Sequence, residues 1–406
     1  MFVFQKESLP RDPVFPADLK QLGYFVNEND QIRMISDPEQ RFLYRINANE
    51  RYNELQKEAM NTCIRDIVIS RLHDQGLETL RLPIGAEPNE QHVPILVSPS
   101  FKTDKRIIVV FGEPVQDLGI WAYRAIGSDT INSGSAVDFT AAVMGGKKAT
   151  TIPGMETKPD SNGESSSAIL SDTNENNDET DKPAAPGLIL TNPGQLVWHC
   201  AGERAISLPT WLALPRKHAV EPPMKMSIRN KIPNNETWQD HVTYVFDEVL
   251  GKLASSDAKI DIIGLAEGSL AAVRYLAEHW STWKSRISSI ALGNPLHDMN
   301  HLHPPEFAEF ISTRCRAYLI SEAELDQPVA GRYEYGCNCY SSGEPKNVEC
   351  IIPQAYKSML KWLKDMSENP ELKEVEVFIS EEAGIPEPGN DNKAGDDGGA
   401  VVEELN

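Results

Sequence analysis

Short apolar runs alternate with amphipathic helical segments from residue 93 onward, and this alternation constrains the fold more than any other feature. The runs are rich in β-branched residues, as is typical of strands that are buried on both faces. In chain order the segments are VPILV, RIIVVFG, GIWAYRAI, PGLIL, TWQDHVTYVFDEVLGKLASS, KIDIIGL, SLAAVRYLAEHWSTWKSR, RISSIALGNP, RCRAYLIS and ECIIPQAYKSMLKWLKDM. The pattern predicts an α/β fold in which helices flank a mostly parallel sheet.

The first ninety residues follow a different pattern. GYFVNENDQIRMI predicts a hairpin, and residues 48–75 predict a long helix with one apolar face. We therefore expect residues 1–90 to form an N-terminal extension that packs on a core of residues 91–370.

Two acidic segments carry most of the net charge of −21. Residues 155–182 hold eight acids and two lysines, and residues 380–406 hold eight acids and one lysine. Both have too few apolar residues to offset the cost of ordering the chain, so we expect a disordered insert at 155–186 and a disordered tail at 380–406. The remaining body is mildly acidic, and we expect no direct binding to DNA.

Cysteine content and hydropathy limit the cellular compartments in which the protein is expected. Six cysteines in 406 residues are too few for a disulfide framework, so reduced thiols are expected. No apolar run approaches the ~20 residues that a membrane-spanning helix needs. The sequence therefore predicts a soluble protein of the nucleus or the cytoplasm.

The stretch KIDIIGLAEGSLA, residues 259–271, has the form of a hydrolase nucleophile elbow. In that motif, Gly-x-Ser-x-Gly, a serine sits on a strained turn between a strand and a helix. Gly264 and Gly268 occupy the two glycine positions, and Ala266 occupies the position of the nucleophile. The motif predicts an α/β-hydrolase-like fold whose elbow lacks its serine.

The catalytic base is missing as well. In α/β-hydrolases the histidine follows the last strand, because a serine hydroxyl needs an imidazole to take its proton. The last histidine of this chain is His303, and the predicted final strand, near residues 337–340, comes after it. Two of the three triad positions are therefore empty, and we expect a protein that is not an enzyme.

Other residues near the elbow leave alternatives open. Ser269, with a base from the loop that contains His297, Asp298, His301 and His303, would make a rearranged serine esterase or amidase. Ser269 would otherwise cap the first turn of the following helix. Glu267 and the turn at Gly112 and Glu113 are candidates for ligand binding. No spacing of His or Cys supports a metal site, and no glycine-rich phosphate loop implies a nucleotide cofactor.

Several blocks of the sequence resemble a fungal domain family named for Argonaute-binding protein two. The matching blocks are FPADLKQLGYFVNENDQIR, NERYNELQKEAM, VVFGEPVQDLGIWAYRAI, PGLILTNPGQLVWHC, TWLALPRKHAVEPP, NKIPNNETWQDHVTYVFDEVL, IDIIGLAEGSLAAVRYL, ALGNPLHDM and RCRAYLIS. They run from about residue 16 to 365 in the family's order. The resemblance implies an α/β-hydrolase-like fold. Relatives in animals keep a serine in the elbow, where this chain has Ala266.

The resemblance also implies a role. The family includes a subunit of a complex that chaperones small-RNA-loaded Argonaute, and related domains follow the catalytic domain of some fungal histone deacetylases. It therefore implies a scaffold or adaptor for small-RNA or heterochromatin gene silencing, with protein partners such as Argonaute or a deacetylase complex, in the nucleus. The rearranged esterase or amidase is the alternative.

Overall fold

The computed structural model describes residues 9–145 and 185–379. The strands are β1 Tyr24–Val26, β2 Ile32–Met34, β3 Glu78–Leu82, β4 Val93–Val97, β5 Arg106–Phe111, β6 Gly187–Leu190, β7 Val197–His199, β8 Arg204–Ile206, β9 Lys259–Leu265, β10 Ile287–Gly293, β11 Cys315–Leu319, β12 Pro328–Val329 and β13 Asn338–Ser341. The α-helices are α1 Glu50–Asp74, α2 Tyr123–Ser128, α3 Ala136–Met144, α4 Leu208–Ala213, α5 Trp238–Tyr244, α6 Glu267–Trp283, α7 Pro305–Arg314, α8 Arg332–Tyr335 and α9 Ile351–Glu368. Three 3₁₀ turns, Ile228–Asn230, Met299–His301 and Val348–Cys350, and a π-helical segment, Val245–Leu253, complete the elements.

Nine strands form one sheet in the order β12-β13-β11-β10-β9-β5-β6-β4-β3. The central pairings from β13 to β6 are parallel, while β12, β4 and β3 join antiparallel at the two edges. β9, which leads into the elbow, lies between β5 and β10 at the centre. The predicted α/β fold, a mostly parallel sheet flanked by helices, is confirmed.

Helices cover both faces of this sheet, because the central strands are apolar on both sides. One face packs against α5, the π-helical segment, α6 and α7, with Phe246, Trp280 and Phe307 among the buried side chains. The other packs against α1, α3 and α9, with Met60, Phe139 and Trp362 buried. The sequence predicted one amphipathic helix over residues 237–256; the structure instead widens from α-helix to π-helix at Val245.

The N-terminal region joins the core more closely than a separate extension would. Its predicted hairpin is present as β1 and β2, and its long helix as α1. β3 follows α1 and pairs with β4, so residues 78–82 form an edge strand of the main sheet. The acidic insert predicted at 155–186 lies outside the described residues except for 185 and 186, and the tail predicted at 380–406 lies wholly outside them.

Candidate functional site

The turn between β9 and α6 has the strained geometry of a nucleophile elbow. Ala266 adopts φ 45° and ψ −115°, which is unusual for a residue with a side chain. Its N–H donates to the carbonyl of Gly293 at 2.9 Å, and its carbonyl accepts from the N–H of Leu270 at 3.1 Å. The end of β10 and the first turn of α6 therefore hold the strained residue in place.

The two elbow glycines are required by close packing. A Cβ at Gly264 would lie 2.7 Å from Cα of Ser269. One at Gly268 would lie 2.4 Å from the carbonyl oxygen of Gly112 and 2.5 Å from that of Phe111. Because these are backbone atoms that cannot move aside cheaply, the elbow and the loop after β5 fit each other only with glycine.

No hydroxyl is presented at the turn. The side chain of Ala266 is 5% exposed and belongs to the apolar core. Ser269 is fully buried, and its Oγ donates a hydrogen bond to the carbonyl of Ala266 at 2.6 Å. Its hydroxyl thus bonds back to a carbonyl of the elbow and does not cap a backbone N–H of the first turn.

Two histidines of the loop after β10, His297 and His301, have partners other than Ser269, and His303 is exposed. Nε2 of the buried His297 donates to the carbonyl of Tyr335 at 3.0 Å, and burial lowers its pKa. Nε2 of His301 lies 2.9 Å from a guanidinium nitrogen of Arg274. Asp298 caps the turn Met299–His301 by accepting from the N–H of Asn300 at 2.8 Å, which lowers the pKa of its carboxyl group. In the described part of the chain, none of these groups hydrogen-bonds to the Ser269 hydroxyl.

Carboxylates crowd the place where a hydrolase stabilises an oxyanion. Burial, followed by repulsion from Glu267 and then from Glu349, raises the pKa of Glu113 to about 7. Glu113 lies in the loop after β5, beside the carbonyl oxygens that pack on Gly268. Carbonyl oxygens and carboxylates oppose a developing negative charge, whereas an oxyanion hole presents N–H donors. The structure brings Gly112, Glu113 and Glu267 together, and their role in ligand binding stays a prediction.

A buried ion-pair network beside the elbow was not predicted from the sequence. Arg65 of α1 donates to Oδ2 of Asp117 at 2.8 Å and to Glu58 at 2.6 Å. The hydroxyl of Tyr123 donates to the same Asp117 oxygen at 2.6 Å. The network fastens α1 to the loop after β5. In the sequence, only the position of Arg65 beside the apolar face of α1 points to this network. An arginine at such a position can equally be exposed.

Two cavities border this loop. A cavity of about 20 Å³ is lined by Glu113, Asp117 and Leu265, among others. Glu113 Oε2 and Asp117 Oδ1 are buried and have no hydrogen-bond partner within residues 9–145 and 185–379. A second cavity of about 550 Å³ is lined by Tyr44, Lys57 and Arg124, among others, and shares Asp117 with the first. The small cavity, which Leu265 of the elbow strand borders, has room for about one water molecule and not for an ester substrate.

Comparison with known proteins identifies the family. The model of the Arb2 domain matches residues 15–325. The chain belongs to the Arb2 domain family. It is 25% identical over 363 residues to a "cotranscriptional regulator ARB2A homolog" of Xenopus tropicalis, covering 86% of this chain and 80% of that protein. It is 24% identical over 377 residues to the "cotranscriptional regulator ARB2A" of Mus musculus, covering 90% and 84%.

A solved structure of "a histone deacetylase from Saccharomyces cerevisiae" aligns with 75% of this chain and 97% of that one, with a TM-score of 0.39 and 12% identity. The described residues contain no group of three His, Cys, Asp or Glu side chains placed to hold a metal ion. Among the helices of residues 9–145 and 185–379, none combines the length and apolarity needed to span a bilayer.

Proposed function

We propose that this Arb2-domain protein is a non-catalytic adaptor that works through protein contacts in nuclear gene regulation. The coarse role is supported by its relatives, which are named as cotranscriptional regulators. The finer proposal is that it serves small-RNA or heterochromatin silencing complexes, with Argonaute or a histone deacetylase complex as partners. The resemblance of the sequence to the fungal family named for Argonaute-binding protein two supports this finer part.

A single observation carries the non-catalytic part of the proposal. The elbow keeps the strain and close packing of a nucleophile elbow, yet Ala266 stands at its apex and the nearest hydroxyl, that of Ser269, is bonded to the backbone. A nucleophile needs a base within hydrogen-bond reach, and Ser269 has a carbonyl there instead. The fold therefore provides a rigid surface without the chemistry that the elbow supports in hydrolases.

A fluorophosphonate probe that labels activated serines tests this directly. We expect no labelling of the purified protein and none of an Ala266→Ser variant, because a restored hydroxyl would still lack a base. A serine hydrolase of known activity, treated in parallel, confirms that the probe is reactive. Labelling of the wild-type protein that disappears in Ser269→Ala would establish the rearranged esterase or amidase instead.

Affinity purification from nuclei of the source organism tests the adaptor role. We expect chromatin or silencing components in the purified material, with Argonaute or a deacetylase among them under the finer proposal. Transcription or chromatin proteins without those two would leave the coarse role and remove the finer one. Recovery of metabolic enzymes alone would contradict both.

A further inference from the structure

One segment of the surface has the features of a docking strand. Eight consecutive residues, 222–229, are all exposed and read PPMKMSIR. We call residues 222–229 the arm. Its apolar side chains alternate along the chain, and Met224, Met226 and Ile228 are 58%, 45% and 75% exposed. Alternate residues of an extended chain point to one side, so Met224 and Met226 form a small exposed apolar face. Ile228, next to it, begins the 3₁₀ turn Ile228–Asn230.

The backbone of the arm is unpaired over residues 224–226, apart from the carbonyl of Met224, whereas residues 227–229 bond within the turn that follows. In the described part of the protein, the N–H groups of Met224, Lys225 and Met226 donate no hydrogen bond, and the carbonyls of Lys225 and Met226 accept none. Ser227 is extended, with φ −129° and ψ 177°. An extended chain with free N–H and C=O groups is a template on which another strand can pair. Pro222 and Pro223 have no N–H, and Ser227 already bonds to Asn230, so pairing would be confined to residues 224–226.

The protein nevertheless holds the arm in place near its start and at its end. Near its start, Nε1 of Trp211 donates to the carbonyl of Met224 at 2.9 Å. At its end, the side chain of Asn230 donates to the carbonyl of Trp198 at 2.9 Å, and that of Gln91 donates to the carbonyl of Arg229 at 2.9 Å. A segment that is held but unpaired loses less conformational entropy on binding than a free loop would.

The charge of the arm selects the partner. It contains Lys225 and Arg229 and no acidic residue, although the whole chain has a net charge of −21. Neither cation has an ion-pair partner within residues 9–145 and 185–379. Their charges would attract an acidic segment and repel a basic one.

We propose that the arm binds an extended acidic peptide segment of a partner protein by strand addition along residues 224–226, with apolar residues of the peptide at alternate positions against Met224 and Met226. This inference rests on the proposed adaptor function and supplies its recognition surface. Backbone pairing gives the affinity in such complexes, while the alternating side chains give the specificity.

Fluorescence anisotropy with three labelled peptides and the full-length protein tests the proposal. The first peptide alternates leucine and glutamate over seven residues, the second replaces each glutamate by lysine, and the third is the first with alternate backbone nitrogens methylated. We expect saturable binding of the first peptide, at least tenfold weaker binding of the other two, and weaker binding at high salt. Equal binding of the methylated peptide would overturn strand addition.

Matched variants locate the site. We expect Lys225→Glu, and separately the double change Met224→Ser with Met226→Ser, to weaken binding of the acidic peptide at least tenfold. Lys102→Glu and Val375→Ser alter an exposed lysine and an exposed valine elsewhere and should leave it unchanged. Thermal unfolding of each variant verifies that the fold is kept. Full binding by both arm variants would overturn the proposal.

Other occupants of the arm give different results. Arm-dependent dimers in sedimentation velocity would show that a second copy occupies it, and arm-dependent binding of a single-stranded RNA oligomer in preference to the peptide would show a nucleic-acid site. Either result overturns the peptide proposal. If the arm fails these tests while nuclear partners still copurify, the proposed adaptor function stands without the arm; if serine labelling appears while the arm binds, the non-catalytic function fails alone.

Discussion

The elbow and the arm differ in burial, in backbone conformation and in charge. The elbow is buried, strained, closely packed against backbone and surrounded by carboxylates. The arm is exposed and basic, and its residues 224–226 have free backbone groups. One region keeps the geometry of a catalytic site without its groups, while the other has groups suited to recognition and no catalytic geometry.

This contrast indicates how the fold is used. A central turn in a parallel sheet cannot lose its shape without disturbing the strands on both sides of it, because β9 pairs with β5 and β10. Strand pairing on both sides of β9 therefore keeps the turn in its strained conformation, whichever residue occupies position 266. The arm carries no such constraint, since few contacts depend on it. A substitution at the elbow is therefore expected to destabilise the protein more than a substitution in the arm.

Replacing Gly268 by alanine gives the largest expected effect. The added Cβ would overlap the carbonyl oxygens of Gly112 and Phe111, and we expect a loss of about 3 kcal/mol or more in the free energy of unfolding. Urea denaturation measures it. Gly112→Ala is the matched control, since its Cβ meets nothing within 4 Å. Equal stability of the two variants would mean that the elbow is looser than the packing implies.

Neutralising Glu113 has the next largest effect, and the effect depends on pH. The pKa of Glu113 is raised to about 7 in the folded protein from 4.5, so the folded state binds more protons between those values and loses stability as pH rises through them. Glu113→Gln removes that loss. We expect the variant's gain over wild type to grow by about 2 kcal/mol from pH 5 to pH 8.

Urea denaturation at the two pH values measures this gain. Glu278→Gln, which changes an exposed glutamate on α6, should show no growth of stability with pH relative to wild type. A Glu113→Gln gain that is the same at both pH values would mean that Glu113 is ionised normally and that the elbow is not an acidic site.

Much of the elbow could be predicted from the sequence, and almost none of the arm. Gly264 and Gly268 belong to a short motif whose geometry is local, so the sequence was enough to predict the turn. The alternation of strands and helices was enough to predict the α/β fold. The roles of Ser269 and His297 depended on which carbonyl each side chain meets, and for His297 that carbonyl belongs to Tyr335, far along the chain.

Other features could not be predicted because they depend on which residues are buried and which residues they contact. The apolar residues of PPMKMSIR are also compatible with a buried segment. Its exposure depends on how the rest of the chain packs around it and not on its own pattern. The ion pair of Arg65 with Asp117 joins α1 to the loop after β5, and no periodicity links these two residues. The edge strand β3 was placed in the N-terminal extension for a similar reason: only its pairing with β4 shows that it belongs to the sheet.

Loosening the anchor of the arm gives a smaller effect. Trp211→Phe removes the hydrogen bond to the carbonyl of Met224 and part of a buried ring, which we expect to cost about 1.5 kcal/mol. Trypsin cleavage after Lys225 should become faster, because the arm would leave the surface more often. Trp238→Phe is the control, because the Trp238 ring makes no hydrogen bond to the arm in the described structure. Unchanged cleavage in Trp211→Phe would mean that the arm is held by other contacts.

Changing the arm itself gives the smallest expected effect on stability. Met226→Ser removes a half-exposed side chain that contacts no buried core cluster, and Lys225→Gln removes a charge that has no ion-pair partner among the described residues. Surface changes of this kind shift the free energy of unfolding by about 0.5 kcal/mol or less. Urea denaturation of both variants beside wild type measures the shift. A loss above about 1 kcal/mol would show that the arm packs against the protein in solution, which would close the face on which strand addition depends and remove the contrast with the elbow.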